Sequence, residues 1–127
     1  MGTIMRLADW FGVETIICST DTVDIYNAKV VRSSMGAIFC IEVIYTNLLT
    51  FLTNSTQPKY GALLNGKPYK SIEYKPNGLL ILGNEGNGIR PEIEALIDIP
   101  VTIPRIGGAE SLNVGSAAAI LLAEIKL

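Results

Sequence analysis

Two stretches constrain the fold more than any other part of the chain. They are Leu82-Gly83-Asn84-Glu85-Gly86-Asn87-Gly88-Ile89 and Ile103-Pro104-Arg105-Ile106-Gly107-Gly108-Ala109-Glu110-Ser111-Leu112-Asn113. Each follows a short apolar, β-branched run and leads into an apolar-faced segment, so each reads as a strand, a loop and a helix in succession. Repeated strand-to-helix passage calls for a parallel sheet flanked by helices, an α/β fold. In such a sheet ligands settle in the crevice beyond the carboxyl ends of the strands. Two neighbouring loops of this kind imply one shared pocket.

The rest of the chain continues the alternation. Residues 3–12 carry Ile4, Leu7, Ala8 and Phe11 at helical spacing, with Gly12 as a stop. Residues 15–19 read as a strand, 20–24 as a polar turn, 28–35 as a helix capped by Asn27, and 37–45 as a strand. Thr46 offers a cap for a helix over 47–53, and strands follow at 60–64, 78–83 and 99–103. Pro91 opens a helix over 91–97, and a last helix runs from about Asn113 to the end. Residues 65–77, with Gly66, Pro68, Pro76 and Asn77-Gly78, read as a linker. A helix this close to Met1 is unusual, because in a βα unit the helix follows a strand. The expectation is a first strand upstream of Met1; a naturally short domain is the alternative.

The 127 residues suit one domain. With 49% hydrophobic and 17% charged residues, so small a chain has more apolar surface than it can bury alone, and a subunit interface is expected. No apolar run reaches the roughly 18 residues of a membrane helix, and no charged-then-apolar signal opens the chain. A cytoplasmic protein without a membrane partner is therefore expected. Cys18 and Cys40 lie inside apolar runs and read as buried free thiols of a reducing compartment. The chain has no histidine, which excludes Ser-His-Asp and Cys-His chemistry and histidine metal ligation. Two thiols fall short of a four-cysteine site, so no metal is expected. Ten basic and twelve acidic residues give a net charge of −2, which lends no support to nucleic-acid binding. One stretch departs from this balance: Lys59, Tyr60, Lys67, Tyr69, Lys70, Tyr74 and Lys75. It can track RNA by charge and stacking, or be a solvated loop.

Within the first loop, Gly83, Gly86 and Gly88 form neither a dinucleotide fingerprint nor a phosphate-binding loop with Gly-Lys-Ser/Thr. They are open to a structural or a ligand-contacting reading. Glu85 either caps the following helix or accepts hydrogen bonds from a substrate hydroxyl or amine. In the second loop, Ser111 and Asn113 flank Leu112 and share one side of an extended backbone. One of them is enough to cap the last helix. The other is left to face the first loop.

Residues 80–89 and 103–119, the latter centred on Ser111-Leu112-Asn113-Val114, resemble the second and third motifs of the SpoU/TrmH branch of the SPOUT RNA methyltransferases. Gly2-Thr3-Ile4-Met5-Arg6-Leu7-Ala8-Asp9-Trp10-Phe11-Gly12 is similar to the first motif without its opening asparagine. Residues 28–39, with Arg32, Ser33 and Gly36-Ala37, match the region between. The resemblance spans essentially the whole chain, with the motifs in order.

This resemblance implies an α/β-knot fold, a parallel sheet flanked by helices with a C-terminal trefoil knot, which is an exception to the rule that chains avoid knots. It implies a homodimer that binds S-adenosylmethionine and methylates a ribose 2′-hydroxyl of tRNA or rRNA. It assigns the catalytic roles to Arg6, Glu85, Ser111 and Asn113, and cofactor binding to backbone around Gly83, Ile103 and Leu112. An arginine is not deprotonated in proteins, so Arg6 is expected to clamp a phosphate or hydroxyl. Read without the resemblance, Arg6 is a surface helix residue. Residues 1–127 would then be a catalytic domain lacking its first strand and any N-terminal RNA-binding domain. Two rivals are a non-catalytic RNA-binding or dimerisation module on the same fold and a dinucleotide oxidoreductase. The oxidoreductase calls for a glycine fingerprint that residues 15–24 lack.

Overall fold

The computed structural model describes residues 1–21, 36, 40–84 and 86–127, and the chain opens on helix α1 (Gly2–Trp10). Gly2, Met5 and Ala8 are its buried face, with Met5 fully enclosed. The Ile4, Leu7 and Phe11 expected there are only half-buried. Gly12 N–H donates to Asp9 and Val13 N–H to Ala8, so the helix stops where the glycine predicted, in a Schellman-type end. Strand β1 (Thr15–Cys18) pairs in parallel with β2 (Glu42–Tyr45), Ile16 opposite Val43. Met5 packs on Met1, Ile16 and Val43. This N-terminal unit covers Met1–Phe51.

Two expectations change here. Of the strand read over 37–45, residues 37–39 lie outside the described residues, 40 and 41 form a turn, and pairing begins at Glu42. Cys40 is consequently exposed, whereas Cys18 is buried as expected, and burial pushes its thiol up against a smaller lowering by the N-terminal amine. The helix expected over 28–35, with Asn27 as its cap, lies outside the described residues.

Helix α2 (Leu48–Asn54) is capped by Asn47, whose Oδ1 accepts from Thr50 N–H at 3.1 Å. Thr46 is not the cap; its N–H instead extends the β1–β2 ladder by donating to Cys18.

The second unit, Leu52–Ile125, holds three parallel strands. They are β3 (Lys59–Pro68), β4 (Leu79–Ile81) and β5 (Ile99–Thr102), ordered β4-β3-β5. β3 runs past the expected end at Leu64, so the linker read over 65–77 is partly strand, followed by a 3-10 turn at Tyr69–Ser71. Its register explains how. Ala62 and Lys67 both pair with Val101, so the chain leaves β5 for residues 63–66 and then rejoins it. Helix α3 (Pro91–Glu94) connects β4 to β5, beginning with proline at its first turn, and α4 (Val114–Lys126) closes the unit.

The core of this unit is Tyr60, Val101 and Leu121, with Leu80, Ile99 and Ile103 among the residues packed on it. Each fully buried side chain of this size contributes about 1.5–3 kcal/mol. Tyr60 packs against Tyr74 with its ring tilted by 57° and the centroids 5.2 Å apart, and its hydroxyl accepts from Lys75 N–H at 2.9 Å. Burial, then Glu124 and the neighbouring tyrosines, push the Tyr74 phenol up, so it stays protonated and donates to the Tyr69 carbonyl at 2.7 Å. Lys59 is buried, not part of an exposed basic stretch. Its Nζ donates to the carbonyls of Ser55 and Gln57, just past the end of α2, where partial negative charge collects. Among the described residues no helix is long and apolar enough to cross a membrane.

Candidate functional site

Because β4, β3 and β5 are parallel neighbours, their carboxyl ends lie along one edge of the sheet. Two segments leave from that edge, residues 82–89 and 103–113, and the interruption of β3 at residues 63–66 falls level with the ends of β4 and β5. This is the crevice position at which open α/β sheets bind ligands, and it gathers both glycine-rich loops.

The first loop is closed on itself. Asn84 N–H donates to Gly88 at 3.1 Å and Gly88 N–H donates back to Asn84 at 2.9 Å, a small antiparallel bridge. Asn84 Oδ1 also accepts from Gly86 N–H at 2.7 Å, the side-chain turn that asparagine makes with the backbone two residues on. Gly88 has φ +66°, a conformation that favours glycine. Gly83 must be glycine for a different reason: a Cβ there would stand 2.6 Å from the carbonyl carbon of Gly88. The role of Asn84 was not foreseen, although an asparagine two residues before a glycine is a recognisable turn signal. Glu85 lies outside the described residues.

The second loop is open. Ile103 packs half-buried on the core, and residues 104–113 are all exposed. Arg105 Nη1 donates to the Ala109 carbonyl at 2.8 Å, spanning the Gly107-Gly108 pair. Ile106 is fully exposed, and Leu112 is 52% exposed. The capping question is settled by Asn113, whose Oδ1 accepts from Gly115 N–H at 2.8 Å and Ser116 N–H at 3.3 Å. Ser111 is the second polar group, exposed two residues before the cap.

A cavity of about 330 Å³ opens between residues 62–65 and residues 87–89, with Glu94 of α3 at its margin. Its walls are apolar at Ala62, Leu63, Leu64 and Ile89, and polar at Asn65 and Asn87. None of Gly83, Ile103, Ser111, Leu112 or Asn113 lines it. The wall at 63–66 was missed because Asn65-Gly66 reads as a break in a strand, and the strand's return to β5 is a non-local pairing. Arg6 belongs to the N-terminal unit, exposed on α1.

Residues 1–123 match the SpoU rRNA Methylase family. The chain belongs to that family. It is 38% identical over 130 residues to the Bacillus subtilis 23S rRNA (guanosine(2553)-2'-O)-methyltransferase RlmP, covering 99% of this chain and 52% of that protein. Among solved structures, a TrmH-family protein from Porphyromonas gingivalis has a TM-score of 0.91 at 38% identity, covering 98% of this chain and 53% of that one. An rRNA methyltransferase from Sinorhizobium meliloti with bound AdoMet also has a TM-score of 0.91, at 32% identity over 98% of this chain and 49% of that one. The chain thus spans about half the length of the SpoU relatives it matches, and its α/β architecture of parallel strands is theirs.

Proposed function

We propose that this SpoU-family chain carries the methyl-transfer half of an S-adenosylmethionine-dependent RNA 2′-O-ribose methyltransferase acting on tRNA or rRNA in the cytoplasm. The observation that carries the reading is the convergence of the family's second and third motif loops at the carboxyl edge of one parallel sheet. The residues there fit the cofactor. A cavity of about 330 Å³ lies beside them, lined by Gly88 next to Gly83 though by none of the assigned residues, and falls within the range of small-molecule sites. Leu64 and Leu112 offer exposed apolar surface to a nucleoside, and no atom crowds the backbone at Gly107 and Gly108. Backbone around Gly83, Ile103 and Leu112 would hold it.

When bound, the cofactor supplies an electrophilic methyl group. The chain must then align a weak nucleophile and steady the charge that develops on it, and alignment alone accounts for much of such a rate. Arg6 serves as a cationic clamp for the RNA phosphate or the acceptor hydroxyl. Ser111 and Asn113 orient the hydroxyl or the cofactor carboxylate, and Glu85 accepts hydrogen bonds from the substrate. Asn113 also caps α4 through Oδ1, which accepts from Gly115 N–H, so its part in the reaction is assigned to the amide nitrogen. The trefoil knot and the homodimer expected of the family belong to the same proposal. The exposed Trp10, Ile44, Tyr45 and Leu49 of the N-terminal unit support a subunit interface.

Two measurements test this. Calorimetry on the folded protein should show one S-adenosylmethionine bound per chain; a folded protein that binds none points instead to a non-catalytic RNA-binding or dimerisation module. Transfer of a labelled methyl group to RNA should fall by about a hundredfold or more in Arg6→Ala and Asn113→Ala, the scale of losing a transition-state donor. Undiminished turnover in both variants removes the site assignment.

A further inference from the structure

We infer that Thr102 is a positioning residue that fixes one wall of the cavity beside the two motif loops, taken as part of the cofactor site, an inference that rests on the functional reading above. The wall is the excursion at residues 63–66, where β3 leaves β5 after Ala62 and rejoins at Lys67. Left alone, four residues of this kind would be a free loop. Thr102 Oγ1 donates to the Leu64 carbonyl at 2.9 Å, across 38 residues of sequence. The end of the excursion is held by contact, since a Cβ at Gly66 would meet the Pro100 carbonyl carbon and oxygen at 2.8 Å. The middle has no such support, because the Leu64 side chain is 71% exposed and no packing fixes it. The threonine hydroxyl supplies there what packing does not.

The placement has a consequence for binding. Leu63, Leu64 and Asn65 form one side of the cavity, and Asn87 and Ile89 of the closed loop form the other. The closed loop is held by its own hydrogen bonds, so the clamped excursion is the side whose order depends on a single side chain. Thr102 is also the last residue of β5, directly before Ile103, where the third motif loop begins. One hydroxyl therefore couples the start of that loop to the opposite strand's cavity wall. A wall already in place spares the ligand the entropy of ordering it.

The test uses Thr102→Val, which keeps the shape and removes the donor, and Thr102→Ser, which keeps the donor. Calorimetry should give S-adenosylmethionine a dissociation constant about tenfold higher in Thr102→Val, the size of one lost hydrogen bond, with KM for RNA unchanged. In ligand-free protein, amide exchange at residues 63–66 should quicken in the same variant. Thr102→Ser should restore both. Where Thr102→Val fails to fold, Thr102→Ala makes the same comparison. Wild-type affinity and exchange in the valine variant overturn the inference alone. A wild-type protein that binds no S-adenosylmethionine overturns the functional reading and this inference with it.

Discussion

The loops at residues 82–89 and 103–113 have similar composition and leave the same edge of one sheet, yet they are built in opposite ways. In the first, Asn84 and Gly88 exchange two backbone hydrogen bonds, and the side chain of Asn84 closes the turn between them. In the second, one guanidinium bond from Arg105 to Ala109 spans a segment in which every residue from 104 to 113 is exposed. Their glycines differ accordingly. Gly83 is packed against the backbone of Gly88, whereas Gly107 and Gly108 have no atom within 4 Å of where a Cβ would stand. Glycine in the first loop satisfies the protein's own packing. In the second it leaves backbone uncovered, as suits a surface that a ligand approaches. The first loop is closed by the protein itself, and the second is left open, as the proposed cofactor site would require.

The sharpest way to break this contrast is Gly83→Ala. The added methyl group meets backbone, which cannot swing aside as a flexible side chain would. Overpacking of this kind costs about 1–3 kcal/mol, and the Asn84–Gly88 bridge should open with it. The expected outcome is a lower unfolding midpoint together with loss of S-adenosylmethionine binding by about a hundredfold, taking about 1.4 kcal/mol per tenfold. Retention of both would mean that the first loop is as yielding as the second.

What could be read in the sequence follows the same division between local and distant causes. The Gly12 stop, Pro91 at the start of α3 and the polar cap of α4 were legible because each acts within one turn of chain. The parallel strands were legible as short apolar runs alternating with helical segments. The burial of Lys59 was not: its Nζ partners on Ser55 and Gln57 are local, but its backbone N–H is held by the Asp98 carboxylate, 39 residues further on. Nor was the passage of β3 through Asn65-Gly66 to Pro68, since its partner Val101 lies on a strand that comes much later in the chain. At the site, residue types pointed to the two loops but not to their different construction. The cavity wall at residues 63–66 depends on Thr102, whose hydroxyl has no local signature.

A smaller effect is expected at the junction of the second loop with α4. Asn113→Ala removes the oxygen that accepts from Gly115 and Ser116 and should cost about 1 kcal/mol. Asn113→Ser, also a good cap, should restore thermal stability. It should not restore methyl transfer, because serine lacks the amide nitrogen assigned to the reaction. Recovery of transfer along with stability would reduce Asn113 to a cap and leave Ser111 as that segment's only candidate.

The smallest effect on the fold belongs to Gly108→Ala. Nothing crowds the site, and Gly108 is not among the glycines with positive φ. An alanine compatible with the backbone lowers the entropy of the unfolded chain, so stability should hold or rise by up to about 1 kcal/mol. Affinity for S-adenosylmethionine should nevertheless fall, because the methyl group covers backbone that the open loop presents to its ligand. A variant more stable yet weaker in binding is the opposite of what Gly83→Ala should give, where both fall together. Measured side by side in one melt and one titration, the pair tests the contrast directly. If Gly108→Ala instead lost stability as Gly83→Ala does, the second loop would already be packed against the protein, and the distinction between a closed loop and an open one would fail.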